Sequence, residues 1–207
     1  MRRDADSLGF PIRRFRYPQR AFDRWIAAHG NWWPQRENVT VWGRFALQAC
    51  CGRHAFARRN QAHRYFGETL VARDYEKKGY VCWTLLRLFR MPGRIAHGTS
   101  GLQTSLVEAR LRGSTGVVPQ TEYLKRYETG LRLKNPDVVG YHFGANRWVF
   151  AEVKREHDRL HPQQAEALRF LREVLPHDRV EVCVADVRAR EPGGQRTERA
   201  RVATLNG

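Results

Sequence analysis

Asp137, Glu152 and Lys154 are the residues of this chain whose types and spacing could do chemistry. They form the pattern PD-x14-ExK inside "PDVVGYHFGANRWVFAEVKREHDRLHPQQAEAL". Glu152 and Lys154 interrupt an otherwise apolar run, "WVFAEVK". Burying such groups is costly unless they are paired or bind a metal. Two carboxylates brought together raise each other's pKa and repel unless a cation lies between them. Oxygen ligands select a hard ion, so Mg²⁺ is expected, with Mn²⁺ able to substitute. An ion of this kind binds a phosphoryl oxygen, orients a water and offsets developing charge. Lys154 would hold the attacking water or neutralise the pentacovalent phosphate. The chemistry this suits is phosphodiester hydrolysis. On the pattern alone, Glu152 and Lys154 could equally be a structural ion pair.

The elements that must position these groups are legible around them. "LKNPDVVGYHF" alternates, "GAN" supplies a turn and "RWVFAEVK" alternates again, which predicts a β-hairpin over residues 133–154. Alternation puts Trp148, Phe150, Glu152 and Lys154 on one face. Pairing around the Gly144–Arg147 turn then brings Asp137, at the start of the first strand, near Glu152. Upstream, the stretch from Arg59 to Lys78 reads as a helix stopped by Gly79. Val71 and Tyr75 share one side of it, and Glu68 projects from that same apolar side. A lone Glu there is either a partly buried structural acid or a group that something opposite requires.

The rest of the chain supplies a frame. Short helices are expected over Ala21–Ala28 and Trp42–Phe56, and Trp25, Trp32, Trp33 and Trp42 read as packing anchors or as base-stacking platforms. "YVCWTLLRLF" is strand-like. "LQTSLVEARLR" is a helix with Leu102, Leu106 and Leu111 as its stripe, and Gly113 to Pro119 is a break. After Arg190 the sequence reads as a flexible basic tail.

The formal charge of +16 comes from 37 Lys and Arg against 21 Asp and Glu, and only Lys77, Lys78, Lys125, Lys134 and Lys154 are lysines. Arginine contacts phosphate through two nitrogens at once and stacks on bases, which favours a polyanion partner over an arginine-biased genome. A charge imbalance of this size also carries a penalty in self-repulsion. Cys50, Cys51, Cys82 and Cys183 show neither CxxC spacing nor zinc-finger histidines, so reduced thiols in a cytoplasmic setting are expected. No window approaches eighteen uninterrupted apolar residues, so a soluble protein without a cleaved signal or membrane partner is expected.

Pro136-Asp137, Glu152-Val153-Lys154, Asp158-Arg159-Leu160 and Gln164, followed by the closing "VEVCVADV", resemble the VRR-Nuc domain of the PD-(D/E)xK nuclease superfamily. The resemblance covers about 50 residues, 136–187. It implies an α/β restriction endonuclease-like core, with a central mixed β-sheet flanked by helices. It divides the chain into a basic N-terminal extension (1–58), the nuclease domain (59–190) and the tail (191–207). By the same comparison Glu68, about eleven residues before Gly79-Tyr80, joins the site in preference to its rivals Glu76 and Glu108. Gln164 sits beside the site on a helix whose first position is Pro162. Metal ligands implied are Asp137, Glu152, Glu68 and the Val153 backbone carbonyl.

The activity implied is metal-dependent hydrolysis of DNA, double-stranded or branched, with flapped or four-way structures as candidate substrates. A non-catalytic nucleic-acid-binding module and an antibacterial DNase toxin with an immunity-protein partner are the alternatives, and a homodimer is compatible with each. Degenerate relatives lose the acidic pair or the lysine, whereas this chain keeps all three. Just past the strand, Arg155 and Arg159 are expected to face DNA phosphate or the helix. Asp158 is expected to turn inward and cap or tether the loop.

Overall fold

The computed structural model describes residues 9–29, 62–84, 86–92, 98–156 and 158–190. In chain order these form β1 (Ile12–Tyr17), α1 (Gln19–His29), α2 (Ala62–Lys77), β2 (Tyr80–Thr84), α3 (Gly98–Thr115), α4 (Pro119–Tyr127), β3 (Val138–His142), β4 (Arg147–Arg155), α5 (Pro162–Val174) and β5 (Val180–Ala189). The fold is mixed α/β, with one five-stranded sheet ordered β1-β5-β4-β3-β2. β2 pairs antiparallel with β3 and β3 with β4, while β4, β5 and β1 run parallel. The expected helix over Trp42–Phe56, three of the tryptophans (Trp32, Trp33 and Trp42), Cys50 and Cys51, and the tail lie outside the described residues.

The hairpin folds as its alternation predicts. Val138 pairs with Ala151 and His142 with Arg147, and Asn146 takes the positive φ (50°) that closes the turn. β4 is buried on both sides. Trp148 and Phe150 join Leu168, Leu171 and Leu111 on one face, and Val149, Ala151 and Val153 join Val71, Ala72 and Tyr75 under α2 on the other. Among the described residues the free thiols of Cys82 and Cys183 are buried on this second face as small apolar groups. α2 ends as expected, at Gly79 with φ +88°, a conformation that a Cβ disfavours.

Three parts differ from the sequence reading. Residues 12–17, placed with the N-terminal extension, form the edge strand β1 beside β5. Arg13, Arg14 and Arg16 are exposed, and their charge hides the alternation that buries Phe15 and Tyr17. α1 then packs Trp25 at 5.8 Å from Phe66, so this tryptophan is a packing anchor. The second difference is in "YVCWTLLRLF", which pairs only as far as Thr84, opposite Val138. Before Val138 the partner strand holds Pro136, which has no N–H for a ladder. The backbone farther on is instead held by side-chain amides. Asn135 accepts from Phe89 N–H at 2.6 Å, and Gln120 accepts from Arg90 N–H at 2.7 Å and donates to its carbonyl at 3.0 Å.

The third difference lies in α3: of the expected stripe Leu111 is buried, Leu106 is 56% exposed and the Leu102 side chain lies outside those described, while Thr104, Val107 and Ser114 complete the buried side. Thr104 and Ser114 make this stripe hard to see, because their small polar side chains break the apolar pattern. Ser114 is buried because its hydroxyl accepts from Trp148 Nε1–H at 2.8 Å. α4 had no counterpart in the sequence reading, although Pro119 stands at its first turn. Among the described residues no helix is long and apolar enough to cross a membrane.

Candidate active site

β4 carries charge into the core. Glu152 is 1% exposed and Lys154 5%, on the face that Trp148 and Phe150 occupy one turn of the pleat earlier. Lys154 Nζ donates to Glu152 Oε1 at 2.6 Å, so the ion pair read as the bland alternative does exist. It is not the whole constellation. Asp137, just ahead of β3, accepts the Val153 N–H on Oδ2 at 2.8 Å, and its charge bears on the Glu152 carboxyl. The hairpin register, with Val138 opposite Ala151, dictates that meeting.

Gln164 arrives from the next element. α5 begins in a capping box. His161 accepts the Gln163 N–H at 3.2 Å, and the Gln164 side-chain oxygen accepts the His161 N–H at 2.9 Å. The amide end of the same side chain donates to Glu152 Oε1. Thus the cap that starts the helix also braces the acid.

Glu68 comes from α2 on the opposite side. Gly67 allows the approach, since a Cβ there would lie 3.0 Å from Val153 Cγ1 and 3.1 Å from Arg155 Cδ. Glu68 Oε2 is buried with no hydrogen-bond partner. Burial, and next the charge of Asp137, push the Glu68 carboxyl well above the usual carboxylate range. Burial and then Asp137 do the same to Glu152, with Lys154 opposing. Asp137 is also raised, by burial first, again against the pull of Lys154. Asp137 therefore acts on both glutamates against the pull of the Lys154 ammonium, and a cation bound here would favour the ionised form of all three carboxyls.

Asp137, Glu152, Glu68 and the Val153 carbonyl offer only oxygen, the donor type of a hard divalent ion. The partnerless Glu68 oxygen and the raised carboxyls fit such an ion. Among the described residues no three His, Cys, Asp or Glu side chains are already drawn together as a ligand cluster. Glu152 Oε1 is taken by Lys154 and Gln164, and Asp137 Oδ2 by a backbone N–H, which leaves one oxygen of each for another partner.

The rivals of Glu68 stand elsewhere. Glu108 pairs with Arg90 at 2.8 Å, and Glu76 lies two turns farther along α2. Past the strand, two expectations change. Arg155, expected with Arg159 on DNA, lies over the rings of Phe22 at 4.5 Å and Phe66 at 5.5 Å and donates to Tyr17 Oη at 3.3 Å. Strand alternation explains this, since the neighbour of Lys154 must face the other way. Arg159 is exposed. Asp158 stays exposed and does not turn inward, but it tethers the loop. It accepts the Arg155 N–H at 3.2 Å and donates its own N–H to the Arg155 carbonyl at 2.6 Å, across Glu156 at φ +37°. Asp186 is a further buried acid, set inside the apolar run "VEVCVADV" and absent from the residues expected at the site. The logic that singled out Glu152 applies there too.

No family model matches the chain, and neither a curated protein nor a solved structure matches it.

Proposed function

We propose that this chain is a divalent-metal-dependent nuclease that hydrolyses phosphodiester bonds in DNA, built on a restriction endonuclease-like core of the VRR-Nuc type. One observation carries the reading. Asp137, Glu152 and Lys154, from the two arms of a hairpin, meet beneath Gln164 next to the apolar side chains that pack the same sheet face. A structural ion pair needs one acid and one base. Here further carboxyls are desolvated beside it, at a penalty that folding alone does not require.

In this reading Asp137, Glu152, Glu68 and the Val153 carbonyl hold Mg²⁺ or Mn²⁺. When bound, the ion supplies Lewis acidity toward a phosphoryl oxygen and charge against the phosphate. Lys154, held at 2.6 Å from Glu152, presents an ammonium to the attacking water or to the charge that develops on phosphorus. Gln164 fixes the Glu152 carboxyl, so the acid does not reorganise as the site fills. The +16 charge provides sequence-independent attraction for the polyanion.

The test is cleavage of linear, flapped and four-way DNA in Mg²⁺ and in EDTA, by the native chain and by Asp137→Asn, Glu152→Gln and Lys154→Met. Each variant should lose about three decades of rate or more, as when electrostatic transition-state groups are removed. Native protein that binds DNA but cuts none of the three substrates would make this a binding module instead.

A further inference from the structure

Asp186 is 1% exposed and is the register partner of Lys154 across β4 and β5, yet the hydrolytic machinery above makes no use of it. Its two oxygens meet Arg188 Nε at 2.8 Å and Arg16 Nη1 at 3.9 Å. On β1 the register partner of Asp186 is Arg14, and that of Arg188 is Arg16. Alternation therefore places Lys154, Asp186, Arg188, Arg14 and Arg16 on one face of three parallel strands, at the ends where those strands finish. Two strand spacings separate β1 from β4, so these arginines stand about 10 Å across the sheet from the lysine.

The bland account is that arginines guard an open sheet edge against strand addition. The other face of the same strand argues against that as the whole reason. There Arg13 is matched one to one by Glu181 at 2.5 Å. On the face that carries Lys154, Asp186 meets Arg188 and Arg16 and has Arg14 as its register partner, and Arg14 and Arg16 are exposed. A buried acid that holds two guanidinium groups fixes their direction, so less freedom is lost when they meet an anion. We infer that Arg14, Arg16 and Arg188 form a platform for backbone phosphates of DNA beside the bond to be cut, with Asp186 as the positioning residue. The platform takes its substrate from the nuclease reading. It contacts phosphate and not bases, so it adds affinity without sequence preference.

The experiment measures binding of the full chain to a short fluorescein-labelled duplex in EDTA, by anisotropy over a range of KCl. The Arg14→Ala/Arg16→Ala double variant should bind every sequence more weakly. Its log–log salt slope should be shallower by about 1.8, at about 0.9 for each phosphate left unneutralised. Arg13→Ala, on the opposite face, should keep the native slope. Asp186→Asn should fall between native and double variant. The double variant changes only exposed side chains, so the result does not depend on whether Asp186→Asn folds. In Mg²⁺ the double variant should raise KM and leave kcat within about twofold, because uniform binding is what it removes. A native slope in the double variant, or no binding of the native chain to the duplex, overturns the platform. A platform-dependent slope in a native chain that cuts nothing overturns the nuclease reading and leaves the platform standing.

Discussion

Gln164 ties Glu152 to the first turn of α5. Its amide donates to Glu152 Oε1, and its oxygen accepts the His161 N–H at 2.9 Å. One side chain thus links the strand that bears the site to the crossover helix that follows it. Gln164→Ala should break both hydrogen bonds. The cap alone is worth about 1 kcal/mol, which is roughly 2–4 °C of melting temperature in a chain of this size. The released Glu152 should also need more Mg²⁺ for half-maximal cleavage. A melting curve and an Mg²⁺ titration of activity check the two effects separately. A change in melting alone would make Gln164 a cap and nothing more.

The pH behaviour follows from the raised acids. In the folded protein burial and Asp137 push Glu68 up to about 8 and Glu152 up to about 9. A carboxyl raised in this way contributes stability that is present below its ordinary value and lost as pH rises through the raised one. In EDTA the melting temperature should therefore decline toward about pH 9, as protons leave acids that repel one another. Metal ligands must be deprotonated, so Mg²⁺ should raise the melting temperature by an increment that grows from about pH 6 to about pH 9. Differential scanning fluorimetry with and without Mg²⁺ measures this. An increment independent of pH would mean that the ion binds elsewhere.

How much of this was legible in the sequence depended on whether local pattern and tertiary burial agreed. The hairpin was legible because its strands alternate cleanly and its turn is short, and Asp137 was placed opposite Glu152 by counting alone. Glu68 was legible only through its helix face and the resemblance, since nothing local shows what lies across from it. β1 was hidden because three of its six residues are exposed arginines, which an edge strand tolerates. The stripe of α3 is hidden because Thr104 and Ser114 are polar yet buried, Ser114 through Trp148, 34 residues away. Asn135 and Gln120 replace a strand's hydrogen bonds across 46 and 30 residues, a relationship no window of sequence contains.

Glu76 tests the choice of acid on α2. Its Oε2 is buried without a hydrogen-bond partner, and burial lifts its carboxyl to about 7, with Arg73 pulling the other way. The sign is that of any raised acid. The stability it contributes is present below the ordinary carboxylate value and is lost as pH rises through about 7. Glu76→Gln removes the charge and keeps the shape, so it should raise the melting temperature at about pH 8, by roughly 2 °C given that the residue is only half-buried. It should do little at about pH 5 and leave the metal dependence of cleavage unchanged. Glu68→Gln should do the reverse to metal dependence. If Glu76→Gln shifts the Mg²⁺ requirement and Glu68→Gln does not, the acids have been assigned the wrong way round.

Arg155 and Arg159 separate a packed arginine from an exposed one. The Arg155 side chain is 15% exposed, lies over Phe22 and Phe66, donates to Tyr17 Oη and pairs with Glu156 at 3.6 Å. Its charge also opposes the rise of the Glu68 carboxyl. An arginine used in this way stabilises through its stem and its ring contacts as much as through its charge. Removing a desolvated guanidinium from an aromatic face costs about 2 kcal/mol. Arg155→Ala should therefore lower the melting temperature by roughly 4–8 °C, with DNA affinity per folded molecule nearly unchanged. Arg155→Lys should recover only part of that stability, because an ammonium cannot lie flat on two rings. Arg159→Ala should leave melting unchanged and make the salt slope of DNA binding shallower by about 0.9 if it meets one phosphate. Melting curves and anisotropy on the same preparations give both readouts. Native melting in Arg155→Ala together with weakened binding would return this residue to the DNA-facing role that its sequence neighbours suggest.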